Sequence, residues 1–248
     1  MVRMTAARAD AVIWHDVECA GYEADLPLWR ELAESARGPV LEIGCGTGRV
    51  ALDLAARGHD VAAIDSEPAF VRELERRASE RGLSVDVAIG DVRSPSLERD
   101  FALAIAPMQV VQLLGGVSGR AAMLDSVRSM LRPKGRLAIA IADPFEGMAA
   151  EEAGPPVPDV RERDGWVFSS VPFSVRPQAG GTAIDRLRQT VSPDGELEEA
   201  MATVVLDSLD TEQLELEASD HGFRVLARRE VPATGDYVGS VVAILEAA

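Results

Sequence analysis

Two spacings of apolar residues alternate along this chain, and the points where one gives way to the other mark its elements. Compact apolar runs at 40–43, 61–64, 101–106 and 137–142, and an alternating stretch at 85–89, have the length and β-branched content of strands. Between them the period lengthens to that of a helix. Val50, Ala51 and Leu54 share one face before Gly58, and Phe70, Leu74 and Ala78 are spaced by four within a charged segment, 67–81, that Gly82 stops. Leu124, Val127 and Leu131 form a third stripe ended by Pro133 and Gly135, and a further helix is expected to open over 107–114. Strand and helix alternating five times predict an α/β, Rossmann-like, doubly wound and mostly parallel sheet.

Two regions depart from that alternation. Ahead of the first strand, 1–39 is expected to be helical and holds Trp14, Tyr22 and Trp29; Asp25 is placed to cap a helix with Pro27 in its first turn and with Gly38 and Pro39 at its end. After the fifth strand the chain turns loop-like from Asp143 to Pro158. Extended segments follow at 166–175, 182–191 and 196–206, separated by Gly180-Gly181 and Ser192-Pro193-Asp194-Gly195, so an antiparallel β insertion is expected. Asp210-Thr211-Glu212-Gln213 is a capping box for a helix ending at Gly222, and 224–231 with 237–245 supply a terminal strand pair that brings the main sheet to seven, with an antiparallel terminal strand. The chain thus reads as a single domain over 1–248, divided into 1–39, a core at 40–145, the insertion at 146–209 and a C-terminal helix and strand pair at 210–248.

Composition narrows the partners. A chain of 248 residues can bury one large core. No run approaches the roughly 20 consecutive apolar residues that a membrane span requires, and the first ten residues lack the apolar stretch of a secretory leader. Cytoplasmic residence is the expectation. Cys19 and Cys45 are too few for a disulfide framework or a zinc cluster. With 25 basic against 41 acidic residues the net charge is −16, which repels polyanions, so nucleic acid is not an expected partner. A small-molecule partner fits, no membrane partner is expected, and the sequence leaves a homodimer open.

The chemistry concentrates at 40–65. The first strand runs into Gly44, Gly46 and Gly48, whose bare Cα atoms permit a tight turn and close approach of a ligand, and the second strand delivers Asp65 about 20 residues later, where an acid can accept from ribose hydroxyls. The position where a dinucleotide fold needs its third glycine is Arg49. The Gly-x-Gly-x-Gly spacing, with Glu42 ahead of it and Asp65 behind, resembles the class I S-adenosylmethionine-dependent methyltransferases, in motif over 40–142 and in its aromatic N-terminal segment and insertion the branch acting on small metabolites and natural products.

That resemblance implies S-adenosyl-L-methionine as cofactor, with S-adenosyl-L-homocysteine as product. It implies cofactor contacts from Glu42, Gly44, Cys45, Gly46, Gly48, Asp65 and Ser66, from Asp91 and Val92 around adenine, and from Ala106 and Met108 toward the methionine end. The N-terminal segment becomes a lid, and Trp14, Tyr22, Gln109, Gln112, Trp166 and Phe173 become candidates for the acceptor side. His15, Tyr22 and Asp143 are the candidate catalytic groups, although an uncharged amine acceptor needs no base before attack. The sequence Ala106-Pro107-Met108-Gln109 lacks the Asn/Asp-Pro-Pro-aromatic motif of base-amine methylation, and Gln109 and Gln112 stand where metal-dependent relatives carry Asp or Asn, so no metal is implied. A catalytically silent cofactor-binding protein and, less favoured, a nicotinamide-dependent oxidoreductase remain alternatives.

Overall fold

A computed structural model describes residues 11–95, 97, 99–145, 157–234 and 237–248. In chain order the elements are α1 (Ala11–Cys19), α2 (Leu26–Ala36), β1 (Val40–Ile43), α3 (Arg49–Ala56), β2 (Val61–Asp65), α4 (Pro68–Glu80), β3 (Asp86–Ile89), β4 (Phe101–Ala106), a short 3-10 turn (Val110–Leu113), α5 (Gly116–Met130), β5 (Leu131–Ile141), β6 (Asp159–Arg163), β7 (Trp166–Gln178), β8 (Gly181–Val191), β9 (Leu197–Asp207), α6 (Thr211–Asp220), β10 (Phe223–Val231) and β11 (Ser240–Ala247).

The main sheet has seven strands in the order β10-β11-β5-β4-β1-β2-β3. The first five strands of the chain are parallel, while β11 enters antiparallel beside β5 and β10 closes the edge. All six residues of β4 are buried because a central parallel strand is covered on both faces. One face packs with α2 and α3 around Trp29, Leu54 and Leu103; the other packs with α5 and α6 around Phe101, Leu124 and Leu245. A separate sheet, β6-β7-β8-β9, is antiparallel throughout.

The insertion has one strand more than the apolar pattern announced. β6 joins β7 through Asp164 and Gly165, both at positive φ, and alternates too many charges for a strand to be read from it. The stretch 107–114 forms a turn and the 3-10 segment, with the helix starting only at Gly116. That helix stops at Met130, and Leu131, expected in its stripe, already pairs with Phe101. Val71, rather than Phe70, shares the buried face of α4 with Leu74 and Ala78. Asp25 sits at the start of α2 without capping it, because its carboxylate is taken by Arg49 and by Trp29 Nε1 at 2.8 Å. Most of the loop expected between Asp143 and Pro158 lies outside the described residues.

Asp210 does cap α6, accepting from the amide of Gln213 at 2.8 Å. The end of the insertion is tied into the core by Arg120 of α5. It is buried, donates twice to Glu217 at 2.7 Å and pairs with Asp207, which also accepts from the amide of Gly116. Removing one partner of a buried ion pair strands the other charges, so Arg120→Ala should cost about 3 kcal/mol of stability in urea denaturation. A loss no larger than that of an exposed surface substitution would show the network to be solvated.

Candidate active site

The turn after β1 is built from three left-handed glycines, with φ of 65° at Gly44, 53° at Gly46 and 94° at Gly48. Only glycine adopts such angles without strain, and the bare Cα atoms are needed for space as well. A methyl group on Gly44 would stand 2.6 Å from Val110, and one on Gly46 would stand 2.2 Å from His15 Nε2. Asp65 closes the turn, one oxygen accepting from the amide of Gly46 at 2.8 Å and the other from that of Glu67 at 2.9 Å. Each oxygen keeps a lone pair for a further donor.

Beneath the turn lies Glu42. The backbone amide of Ala51 donates to its carboxyl, while Oε2 is buried with no partner. Burial pushes its pKa up to about 8, against the pull of the nearby Arg49 guanidinium. At the carboxyl end of β4, Met108 adopts φ of 57° although it has a side chain. Held strain of this kind gathers at ligand sites.

Over the turn lies α1. His15 rests on Gly46 with its ring 4.5 Å from that of Phe70, and burial lowers its pKa, so it is neutral at neutral pH. Asp16 is buried and accepts from Thr47 Oγ1 at 2.7 Å, within the glycine turn, while pairing with Arg77 of α4 and Arg161 of β6. Two residues on, Glu18 receives Ser170 and Arg188 from the insertion, each at 2.8 Å. Trp14 meets Phe168 edge-on at 5.7 Å and lies under Arg188. Thus α1 is wedged between the glycine turn and the inner face of the second sheet.

The remaining residues singled out by sequence fall into distinct settings. Trp166 joins the Trp14–Phe168 cluster, whereas Phe173 stands exposed at a bulge in β7. Tyr22 packs against Tyr237 and Arg49, and burial raises its hydroxyl pKa, so it is no base at neutral pH. Gln112 is buried and spent on structure: its amide exchanges two hydrogen bonds with the backbone of Ala142, at 3.0 and 3.1 Å. Asp91 is over a third exposed and gripped by Arg93, while Val92 beside it is buried. Ala106 and Cys45 are buried, Gln109 is half-buried and Ser66 is exposed. Burial raises the Cys45 thiol well above its ordinary pKa. Asp143 lies at the mouth of β5 and accepts from the amide of Phe145. There a cavity of about 460 Å³ opens between the carboxyl end of β5, the starts of β8 and β11 and the end of β9, bordered by Asp143, Thr182, Leu206 and Ser240.

Sequence reasoning missed Asp16, Thr47 and the arginines that hold α1. Its available signal was the spacing of Arg186 and Arg188, two residues apart on one strand and therefore on one face. Among the described residues, no group of three His, Cys, Asp or Glu could hold a metal, and no helix is long and apolar enough to cross a membrane.

Residues 40–135 match the family model described as a methyltransferase domain. Over those residues the chain is similar to S-adenosylmethionine-dependent methyltransferases. It is 33% identical over 122 residues to a probable cobalt-precorrin-6B C(15)-methyltransferase of Methanothermobacter thermautotrophicus, covering 47% of this chain and 61% of that one. It is likewise 33% identical over 99 residues to a ubiquinone biosynthesis O-methyltransferase of Xylella fastidiosa, covering 40% and 39%. The chain therefore spans between two fifths and three fifths of the length of these relatives. Among solved structures it is similar to CalS10, an amino pentose methyltransferase of Micromonospora echinaspora, with a TM-score of 0.73 and 18% identity over 100% of this chain and 99% of that one. That likeness is one of fold, and it includes the insertion.

The core of the chain fits S-adenosyl-L-methionine on three counts: a turn without side chains at Gly44 and Gly46, an acid with free lone pairs at Asp65, and an orphaned carboxyl oxygen at Glu42 suited to a cationic group. The last has a consequence for the free protein. Folded Glu42 titrates near 8 and its unfolded form near 4.5, so the stability tied to it is full below pH 4.5 and falls as pH rises to about 8. Glu42→Gln should remove that part of the decline in denaturation measured across the window. An unchanged slope would assign the decline to other groups.

Proposed function

We propose that this protein transfers the methyl group of S-adenosyl-L-methionine to a nitrogen, oxygen or carbon of a small-molecule acceptor, of the natural-product kind, by in-line displacement under a lid. The observation that carries this reading is the cradle of Gly46, Asp65 and Glu42 opening on the same edge of the sheet as the 460 Å³ cavity. Ligands of open α/β sheets bind outside the carboxyl ends of the strands. A cavity of this size is within the range that holds small organic ligands. When bound, the cofactor supplies an electrophilic methyl group.

This chain's residues supply binding, alignment and exclusion of water. Asp65 holds the ribose and Glu42 faces the cationic amino-acid end. Asp91 and Val92 flank adenine, with Asp91 exchanging its hold on Arg93 for the adenine amine. Ala106 and Met108 border the methionine end. The acceptor lies toward the cavity at β5, where Asp143 is the ionisable group best placed to take a proton. His15 and Tyr22 serve the lid: one covers Gly46, the other anchors the segment after α1. The names of the relatives span carbon, oxygen and an amino sugar, which agrees with an acceptor chosen by the lid and the insertion rather than by the shared core. The negative net charge argues against nucleic acid, and the two unpaired cysteines suit the cytoplasm.

Two measurements test this reading. Wild type should bind S-adenosylhomocysteine in a calorimetric titration, and Asp65→Ala should lose about 1.5–3 kcal/mol of it, as for a charge-assisted bond. No binding by wild type, or a preference for NADH, overturns the proposal. Because His15 occupies the space over Gly46, α1 has to lift for a ligand to enter and then close on it. Amide exchange of residues 11–25 should slow at saturating S-adenosylhomocysteine, and unchanged exchange would make α1 a permanent packing element.

A further inference from the structure

Glu42 sets a carboxyl in the middle of the parallel sheet, 2% exposed, with Ala63 of β2 and Ile105 of β4 as its neighbours across the strands. The amide of Ala51, in the first turn of α3, donates to it, while Oε2 has no partner among the described residues. The charged groups that face it supply none. Arg49 of α3 gives its two terminal nitrogens to Asp25, at 2.6 and 2.8 Å, and one of them also to the carbonyl of Tyr22. Asp25, ahead of α2, and Asp65, at the end of β2, are acids and oppose a further negative charge. Cys45 in the turn is a neutral thiol, because burial holds its pKa well above the ordinary value, and His15 of α1 is a neutral imidazole, because burial holds its pKa below. Three carboxyls thus share one guanidinium that is already engaged, and a buried carboxyl in that company keeps its proton. The pKa of Glu42, pushed up to about 8 chiefly by burial, agrees.

We infer that, given the cofactor reading above, capture of S-adenosylmethionine expels the Glu42 proton to solvent, so that cofactor loading and proton release are one event. An ammonium at the amino-acid end of the ligand is the partner that Oε2 lacks. It donates to an ionised carboxylate and stabilises the charge that burial alone disfavours. The O–H bond of Glu42 breaks, the proton passes to water or buffer, and the carboxylate left behind accepts from the ammonium; nothing is oxidised or reduced. Linkage sets the sign. A free protein that holds the proton more tightly than its complex binds the ligand better as pH rises, until the free protein has lost that proton unaided. The gain is roughly tenfold between about pH 6 and pH 7 and fades near pH 8. A nucleoside without the amino-acid end brings no ammonium and leaves the proton in place.

The test is calorimetric titration of the full chain with S-adenosylhomocysteine at about pH 7 in phosphate and in Tris, whose ionisation enthalpies differ, so that the difference in apparent heat counts the protons released. Wild type should release close to one proton per ligand, and its affinity should rise roughly tenfold from about pH 6 to pH 7. Glu42→Gln keeps the shape of the side chain but has no proton to lose, so it should release none and bind with an affinity nearly flat over that range. With 5′-methylthioadenosine, which lacks the amino-acid end, wild type should release none. Should Glu42→Gln fail to fold, the wild-type proton count and its contrast with 5′-methylthioadenosine still decide. Binding of S-adenosylhomocysteine without proton release, or an equal release with 5′-methylthioadenosine, overturns the inference and leaves the cofactor reading standing. Absence of S-adenosylhomocysteine binding overturns both.

Discussion

A steric constraint at one turn fixes how the elements around it pack. The chain leaves β1 at Ile43 and must enter α3 at Arg49, and it does so through three left-handed glycines. Left-handed backbone is costly for residues with a Cβ. The same absence of side chains lets Val110 close on Gly44, His15 on Gly46 and Leu74 on Gly48. The turn is thus a packing centre for the segment after β4, the N-terminal helix and α4, and Asp65 locks it by holding the amide of Gly46.

The second organising feature is a layer of charge. α1 is a short helix of nine residues, too short to be stable alone. It is kept in place by contacts from three directions: Asp16 takes the glycine turn through Thr47, α4 through Arg77 and the insertion through Arg161. Glu18 adds Ser170 and Arg188. Acids on the helix and arginines on α4 and the second sheet make the contact selective, beside the apolar cluster of Ile13, Trp14, Val17 and Phe168.

The insertion links both regions to the surface. Its inner face carries the arginines that grip α1, while Asp207 at its far end is fastened to Arg120 and to the start of α5. It is therefore braced at both ends against the core that holds the glycine turn. On its outer face Val167, Leu197, Met201 and Val205 are exposed, while Ala183 is buried.

How much of this was legible in the sequence follows from the range of the forces involved. The seven-stranded sheet, the glycine turn, the placing of Asp65 and the cap at Asp210 are set by local spacing, and local spacing is what a sequence displays. Boundaries failed where a local signal met a stronger tertiary one: Leu131 fits a helical stripe but pairs with Phe101, and Asp25 fits a cap but is claimed by Arg49. The one-strand error in the insertion came from β6, a charged edge strand whose residues bond to α1 and β8 rather than to a core. What only the tertiary structure decided was which side chains are spent and which are free. Gln112 is consumed by the backbone of Ala142, Tyr22 by Tyr237, and Glu42 is left with a bare oxygen. Those outcomes depend on contacts between residues far apart in the chain, and no periodicity encodes a contact whose two partners lie on different elements.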